Sequence, residues 1–263
     1  MDRRKIIYYS DELKDEFSTA VITPRKIDEG YDYGGTALSW KIKRFFLWKI
    51  IAPPIALAYL KLVFAHKIVG REKTRPFKKY PLFFYGNHTN TFADPLVPTF
   101  VSRPHSTFVI VHPNNVSMPF WGRFMPYLGA LPLPGNLKAG RNFMEAIRLH
   151  ESENSSIMIY PEAHIWPFYT KIRPFSDSSF KYPVECKTAE KTPVFCFTNV
   201  YTRQKFRKTP KMTTYIDGPF FADETLSPKE RRKKLRGEVY SAMCERAKLS
   251  TYEAIKYIKK ESE

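Results

Sequence analysis

Short apolar runs alternate with amphipathic stretches along most of this chain. PLFFYG (81–86), STFVIV (106–111), ALPLP (130–134), SSIMIY (155–160), TPVFCFTN (192–199) and KMTTYIDG (211–218) read as strands. Between them ADPLVPTF (93–100) can begin a helix, and PFWGRFMPYLG (119–129) reads as a short helix ending at Gly129. NLKAGRNFMEAIRLHE (136–151) has helical spacing, with Asn136 as its N-cap. SPKERRKKLRGEVYSAMCERAKL (227–249) is a long helix capped by Ser227 with proline at its first position. A last helix is expected near Tyr252 to Lys260. Strands alternating with helices predict an α/β fold: a mixed, largely parallel central sheet flanked by helices.

The N-terminal part departs from this pattern. Residues 1–37, mixed in charge and ending near Gly34-Gly35, read as an extension. Residues 38–66 are dense in large apolar side chains but interrupted by Lys49 and Lys61 and broken at Pro53-Pro54. The uninterrupted run from Ile50 to Leu60 is too short to span a bilayer of about 30 Å. Proline inside a helix kinks or ends it. The expectation is therefore two short amphipathic helices, or a shallow re-entrant pair, docked in the membrane interface with lysines snorkelling to the headgroups. Residues 67–263 form the α/β domain.

Charge sharpens this picture. The 263 residues carry a net charge of +17, with 43% hydrophobic and 16% aromatic residues. Such a chain is not a disordered polymer, and it seeks polyanions. Between Leu38 and Tyr85 eleven Lys/Arg face one acid, Glu72, and they are interleaved with apolar residues. That mixture suits an anionic membrane surface better than nucleic acid. The three cysteines, Cys186, Cys196 and Cys244, match neither a metal motif nor a disulfide framework. The first residues lack a signal-peptide core. The expected place is the cytoplasmic face of the cell membrane, as a peripheral or monotopic protein.

Two loops carry candidate chemistry. YGNHTNTFADP (85–95) follows an apolar strand directly, where open α/β sheets place their active sites. In it His88 with Asp94 is the unit of a general base, the carboxylate fixing the imidazole tautomer. IYPEAH (159–164) leaves a second strand and offers Glu162 at the same sheet edge.

In this order the motifs resemble the glycerol-3-phosphate and 1-acylglycerol-3-phosphate acyltransferase superfamily, bacterial type. The four are Asn87-His88 with Asp94; Gly129-Ala130-Leu131-Pro132-Leu133-Pro134; Tyr160-Pro161-Glu162-Ala163-His164-Ile165; and Thr192-Pro193-Val194-Phe195-Cys196. The resemblance spans about residues 81 to 220, and the apolar segment at 38–66 is similar to the family's membrane-docking element. It implies transfer of a fatty acyl group from acyl-CoA or acyl-carrier protein, as co-substrate, to a lysolipid hydroxyl. His88 is then the base and Asp94 its partner. Asn87, Glu162, His164 and Gly129 are expected around the substrates, with no metal and no bound cofactor.

The chain departs from the family in three places. Five residues rather than four separate His88 from Asp94, so the pair meets only if the loop bulges. Pro134-Gly135 stands near the place of the second motif's Arg, and Ala163-His164-Ile165 replaces Gly-Thr-Arg. Those arginines are expected to grip the acceptor's phosphate. Lys138, Arg141, Lys171 and Arg173 are nearby substitutes, or the acceptor is another lysolipid. His112 and His164 read as structural rather than catalytic. KERRKKLR (229–236) is a solvated helix face or a dock for an acidic carrier protein. The rival readings are a metal-dependent hydrolase using His88, Asp94, Glu162 and His164, and a non-enzymatic basic membrane-binding protein. The absence of Gly-x-Ser-x-Gly argues against a serine hydrolase.

Overall fold

The computed structural model describes residues 4–17, 22–186 and 192–260. Its centre is a seven-stranded mixed sheet. The strands are β2 (Lys67–Val69), β3 (Leu82–Gly86), β4 (Thr107–Val111), β5 (Ala130–Pro132), β6 (Ser156–Ile159), β7 (Val194–Thr202) and β8 (Lys211–Phe220), in the order β2-β8-β7-β3-β6-β4-β5. All neighbours are parallel except the β7–β8 pair, which is antiparallel. The expected fold class is the one observed.

The central strands are apolar throughout because helices cover both faces. Strand alternation then sorts side chains between two cores. Phe83, Tyr85, Ile157, Ile159, Val194 and Cys196 pack under the Leu137–Ser152 and Pro228–Ala247 helices. Leu82, Phe84, Met158, Phe195 and Phe197 pack against Ala56, Leu60 and Phe64 of the N-terminal apolar helix. Both expected N-caps form. The Asn136 side chain accepts from the Ala139 N–H at 2.8 Å, and Ser227 with Glu230 makes a capping box.

Four expectations change. Residues 38–66 hold one continuous helix, Leu38–Phe64, of 27 residues, long and apolar enough to cross a membrane by length and composition. Pro53 and Pro54 do not divide it. The preceding stretch Phe45–Ile51 widens into a π-helix, in which the Ala52 N–H reaches back to Leu47 O, and the prolines fall in the first turn of Ala52–Phe64. The wide turn also keeps one buried stripe in phase: Arg44, Trp48, Pro53, Ala56, Leu60, Phe64. Leu38, Ile42, Phe46, Ile50, Ile55 and Leu62 stay exposed.

The C-terminal segment is a strand, β9 (Ile255–Lys259), not a helix. It pairs in parallel with β1 (Lys5–Tyr9). Five residues of alternating pattern suffice for a strand but not for a stable helix, and the partner comes from the other end of the chain. Residues 22–37, read as an extension, pack onto the domain. Ile27 and Tyr33 are buried, Ile27 O accepts from the Gly135 N–H at 2.8 Å, and the Tyr33 hydroxyl donates to Pro132 O at 3.0 Å. Residues 119–129 form a 3-10 turn at Trp121–Arg123 and further turns, because Pro119 and Pro126 withhold the N–H groups a helix needs.

Candidate active site

β3, β6 and β7 lie side by side in the sheet, and their carboxyl ends carry the candidate residues. His88 follows β3, Glu162 follows β6, and Asn199 lies within β7.

His88 Nδ1 lies 2.8 Å from Asp94 Oδ2. The extra residue between them is absorbed by a loop that closes around the carboxylate. The N–H groups of Thr89 and Asn90 both donate to Asp94 Oδ2 at 2.8 Å. The Asn90 side chain in turn accepts from the N–H groups of Phe92 and Ala93, shaping the turn that brings Asp94 back. Asp94 is fully buried, and Asn199 Nδ2 donates to its second oxygen at 3.3 Å.

The imidazole is fixed on its other sides as well. Its ring stacks on Tyr160, with centroids 4.6 Å apart and planes at 23°. The Tyr160 hydroxyl donates to Asp94 O at 2.6 Å. His88 keeps 18% side-chain exposure, and among the described residues Nε2 makes no hydrogen bond. A histidine donating from Nδ1 to a buried carboxylate presents Nε2 as an acceptor for an incoming proton.

Glu162 holds the loops together. One oxygen accepts from the His88 N–H at 3.0 Å and the other from the Arg173 N–H at 2.8 Å. Burial raises its pKa, opposed chiefly by the Arg173 guanidinium. Trp166 N–H donates to His88 O and Phe168 N–H to Thr89 O, so the loop after β6 zips along the loop after β3. Ala163, where the family pattern has Gly, sits at φ 62°, the left-handed region that favours glycine.

Sequence reasoning missed a polar chain behind the dyad. The His66 Nε2 contacts Thr214 Oγ1 at 2.8 Å, the Thr214 hydroxyl donates to Asn199 Oδ1 at 2.6 Å, and Asn199 reaches Asp94. The Asn87 side chain completes it, pairing with the main chain of Asn199 at 2.8 and 3.1 Å. His66 is buried at the end of the apolar helix, and burial lowers its pKa to about 4. Asn199, Thr214 and His66 sit in apolar surroundings at no recognisable spacing, so only their polarity at buried positions signalled them.

The remaining predicted residues divide. Asn87, His88, Asp94 and Glu162 converge. Arg173 does not face a ligand. It is buried over Trp166, pairs with Glu162 at 3.5 Å, and donates to Glu12 O and His164 O. His164 is half-buried and turned to Glu16, with Nδ1 3.3 Å from its carboxylate. Gly129 immediately precedes β5, and two strands, β4 and β6, separate that strand from β3, a spacing of about 14 Å. Its φ is 96°, and a Cβ there would collide with Thr107 O. It is a packing glycine. Lys138, Arg141 and Lys171 are exposed. Lys138 and Arg141 lie in the first turns of the helix that leaves the carboxyl end of β5, on the same sheet edge as His88. Among the described residues no group of three or more His, Cys, Asp and Glu could hold a metal. His88, Asp94, Glu162 and His164 are committed instead to the partners given above.

The imidazole–carboxylate pair lies at the carboxyl edge of a largely parallel sheet, the edge at which open α/β sheets place their binding sites. The chain belongs to the acyltransferase family, which its residues 66–198 match. Its fold is similar to that of the crystal structure of the 1-acyl-sn-glycerophosphate (LPA) acyltransferase PlsC from Thermotoga maritima. The TM-score is 0.55 at 16% identity, over 80% of this chain and 84% of that one, a likeness of fold. No curated protein sequence matches.

Proposed function

We propose that this acyltransferase moves a fatty acyl group from acyl-CoA or acyl-carrier protein to a hydroxyl of a 1-acylglycerol-3-phosphate-like lysophospholipid, with His88 as general base. The observation that carries the reading is the His88–Asp94 contact, with Nε2 left to receive a proton. Nε2 takes the acceptor's hydroxyl proton as its oxygen attacks the thioester carbonyl. The tetrahedral intermediate collapses, the carbon–sulfur bond breaks, and the imidazolium returns the proton to the departing thiolate. Asp94 holds the ring and stabilises its charged form, and general-base catalysis by a residue so positioned contributes typically about 10²–10⁴-fold.

Two further features support a lipid substrate. The exposed apolar side of the Leu38–Phe64 helix suits a membrane, on whose cytoplasmic face the soluble thioester would meet the lysolipid. With Arg173 engaged by Glu162, Lys138, Arg141 and Lys171 are the cations free to grip the acceptor's phosphate. The fold likeness to an acyltransferase titled for 1-acyl-sn-glycerophosphate points the same way.

The test is incubation of the purified chain with lysolipids and labelled acyl-CoA or acyl-carrier protein. A labelled diacyl product that His88→Ala abolishes is expected. Label released only as free fatty acid, or equal transfer by His88→Ala, overturns the reading.

A further inference from the structure

β7 and β8 form the antiparallel pair of the sheet, and the turn joining them, residues 203–210, reads RQKFRKTP. Four of its first six residues are cations: Arg203, Lys205, Arg207 and Lys208. No acid occurs between Asn199 and Asp217. All four cations are exposed, and none forms an ion pair among the described residues. In their midst Phe206 is 89% exposed, with Lys205 Nζ 5.5 Å from its ring centre. Among the described residues no other aromatic ring lies against it, and nearly all of its surface is open to water.

The turn is not adrift. It is fastened to the end of the apolar helix. Gln204 Nε2 donates to Val63 O at 3.1 Å and the Thr209 hydroxyl to the same oxygen at 3.2 Å. The Arg207 guanidinium donates to Leu62 O. These bonds satisfy carbonyls that a helix end leaves free, and Gln204 also ties the turn to itself through Thr209 O and Pro210 O. The main chain of exposed Leu62 is therefore joined directly to the turn that carries Phe206. An exposed aromatic flanked in sequence by cations is thus fastened to the end of the helix whose apolar side chains stand exposed.

From this juxtaposition we propose that the 203–208 turn is a second membrane contact, which inserts Phe206 among acyl chains and sets Arg203, Lys205 and Lys208 against anionic lipid headgroups. An aromatic with flanking cations matches the apolar and charged layers of such a surface. The proposal rests on the reading that the Leu38–Phe64 helix faces lipid. The helix supplies affinity for any bilayer, and the turn supplies preference for negative charge. Clamped to the helix end, the turn also limits how the domain tilts on the surface.

The experiment is co-sedimentation of the full chain with vesicles of phosphatidylcholine alone and of phosphatidylcholine with about 30% phosphatidylglycerol, a strongly anionic bilayer. Arg203→Ala/Lys205→Ala/Lys208→Ala spares Arg207, which holds the turn to Leu62. It should weaken binding to anionic vesicles by on the order of a hundredfold, from about fivefold per cation, and change binding to neutral vesicles little. Phe206→Ser should weaken both. A Phe206→Trp variant should show, relative to the parent, added emission that shifts to the blue with anionic vesicles, a readout independent of the alanine variants' folding. Anionic-vesicle binding by the triple variant equal to the parent's overturns the proposal. So does unshifted emission from the Phe206→Trp variant, or loss of heparin or acidic-protein binding with vesicle binding intact, which would assign the turn to another polyanion. An Ile50→Ser/Ile55→Ser variant tests the helix separately: if it binds neutral vesicles as well as the parent, the helix reading fails whatever the turn variants do.

Discussion

His88 Nδ1 and Asp94 Oδ2 are 2.8 Å apart across a loop one residue longer than the family spacing. The contact survives because the carboxylate gathers the N–H groups of Thr89 and Asn90 as well as the imidazole. Asp94 is thus both the partner of the ring and the centre of the loop.

Replacing either member should separate these two tasks. His88→Ala should lower acyl transfer by about 10²–10⁴-fold with little change in the melting temperature, since the ring is at the surface of the site. Asp94→Ala should lower both, because it leaves two main-chain donors unpaired in a buried loop, at about 1–3 kcal/mol each. Calorimetry beside the transfer assay distinguishes them. Equal stability loss in both variants contradicts this division.

Asn199 links Asp94 to Thr214 and positions the carboxylate without touching the ring. Asn199→Ala should reduce kcat about tenfold, the scale of one hydrogen bond to a charged group, while leaving KM for both substrates near its parental value. A change confined to KM would place Asn199 at a substrate instead.

Arg173 separates a structural role from a ligand role. Its guanidinium is buried beside Glu162, so Arg173→Ala leaves a buried carboxylate uncompensated, at about 3–5 kcal/mol. The urea midpoint should fall sharply. By contrast Lys138→Ala and Lys171→Ala should raise the KM for a phosphate-bearing acceptor without a stability change. Parental stability in Arg173→Ala would return that residue to the candidate phosphate ligands.

Ala163 occupies a left-handed backbone position at φ 62°. Ala163→Gly should stabilise the protein by up to about 1 kcal/mol through relief of that conformation. A thermal shift upward is expected, and a downward shift would show that the methyl group packs usefully.

His66 ties stability to pH. Burial, with a smaller contribution from Lys61, holds its folded pKa at about 4, below the usual 6.5. As pH falls, the unfolded chain binds this proton first, so the native state is favoured fully above about pH 6.5 and loses that contribution between 6.5 and 4. The difference is worth about 3 kcal/mol. His66→Gln should flatten the stability–pH curve across that window, while a curve of unchanged slope would remove His66 as its source.

By itself the chain's sequence determined the sheet and the nucleus of the site. Apolar runs such as LFFYG and SIMI form strands whatever surrounds them, because only burial between two helical layers satisfies them. The loops after those strands then fall at one sheet edge and carry Asn87, His88 and Glu162 there. The caps at Asn136 and Ser227 were equally legible, being local hydrogen bonds between near neighbours. Tertiary structure decided what depends on distant partners. IKYIK became a strand because KIIYY, from the opposite end of the chain, offered it a ladder. The Pro53-Pro54 pair ended no helix because the π turn before it kept the stripe from Arg44 to Phe64 facing the sheet. Arg173 was near the site in sequence, yet a buried carboxylate claimed its guanidinium. Asn199, Thr214 and His66 were legible only as polar residues in buried places, since a hydrogen-bonded chain across three segments is a property of geometry and has no spacing along the sequence. The same holds for His88 and Asp94: their types announced the chemistry, and the bulged loop alone decided that they meet.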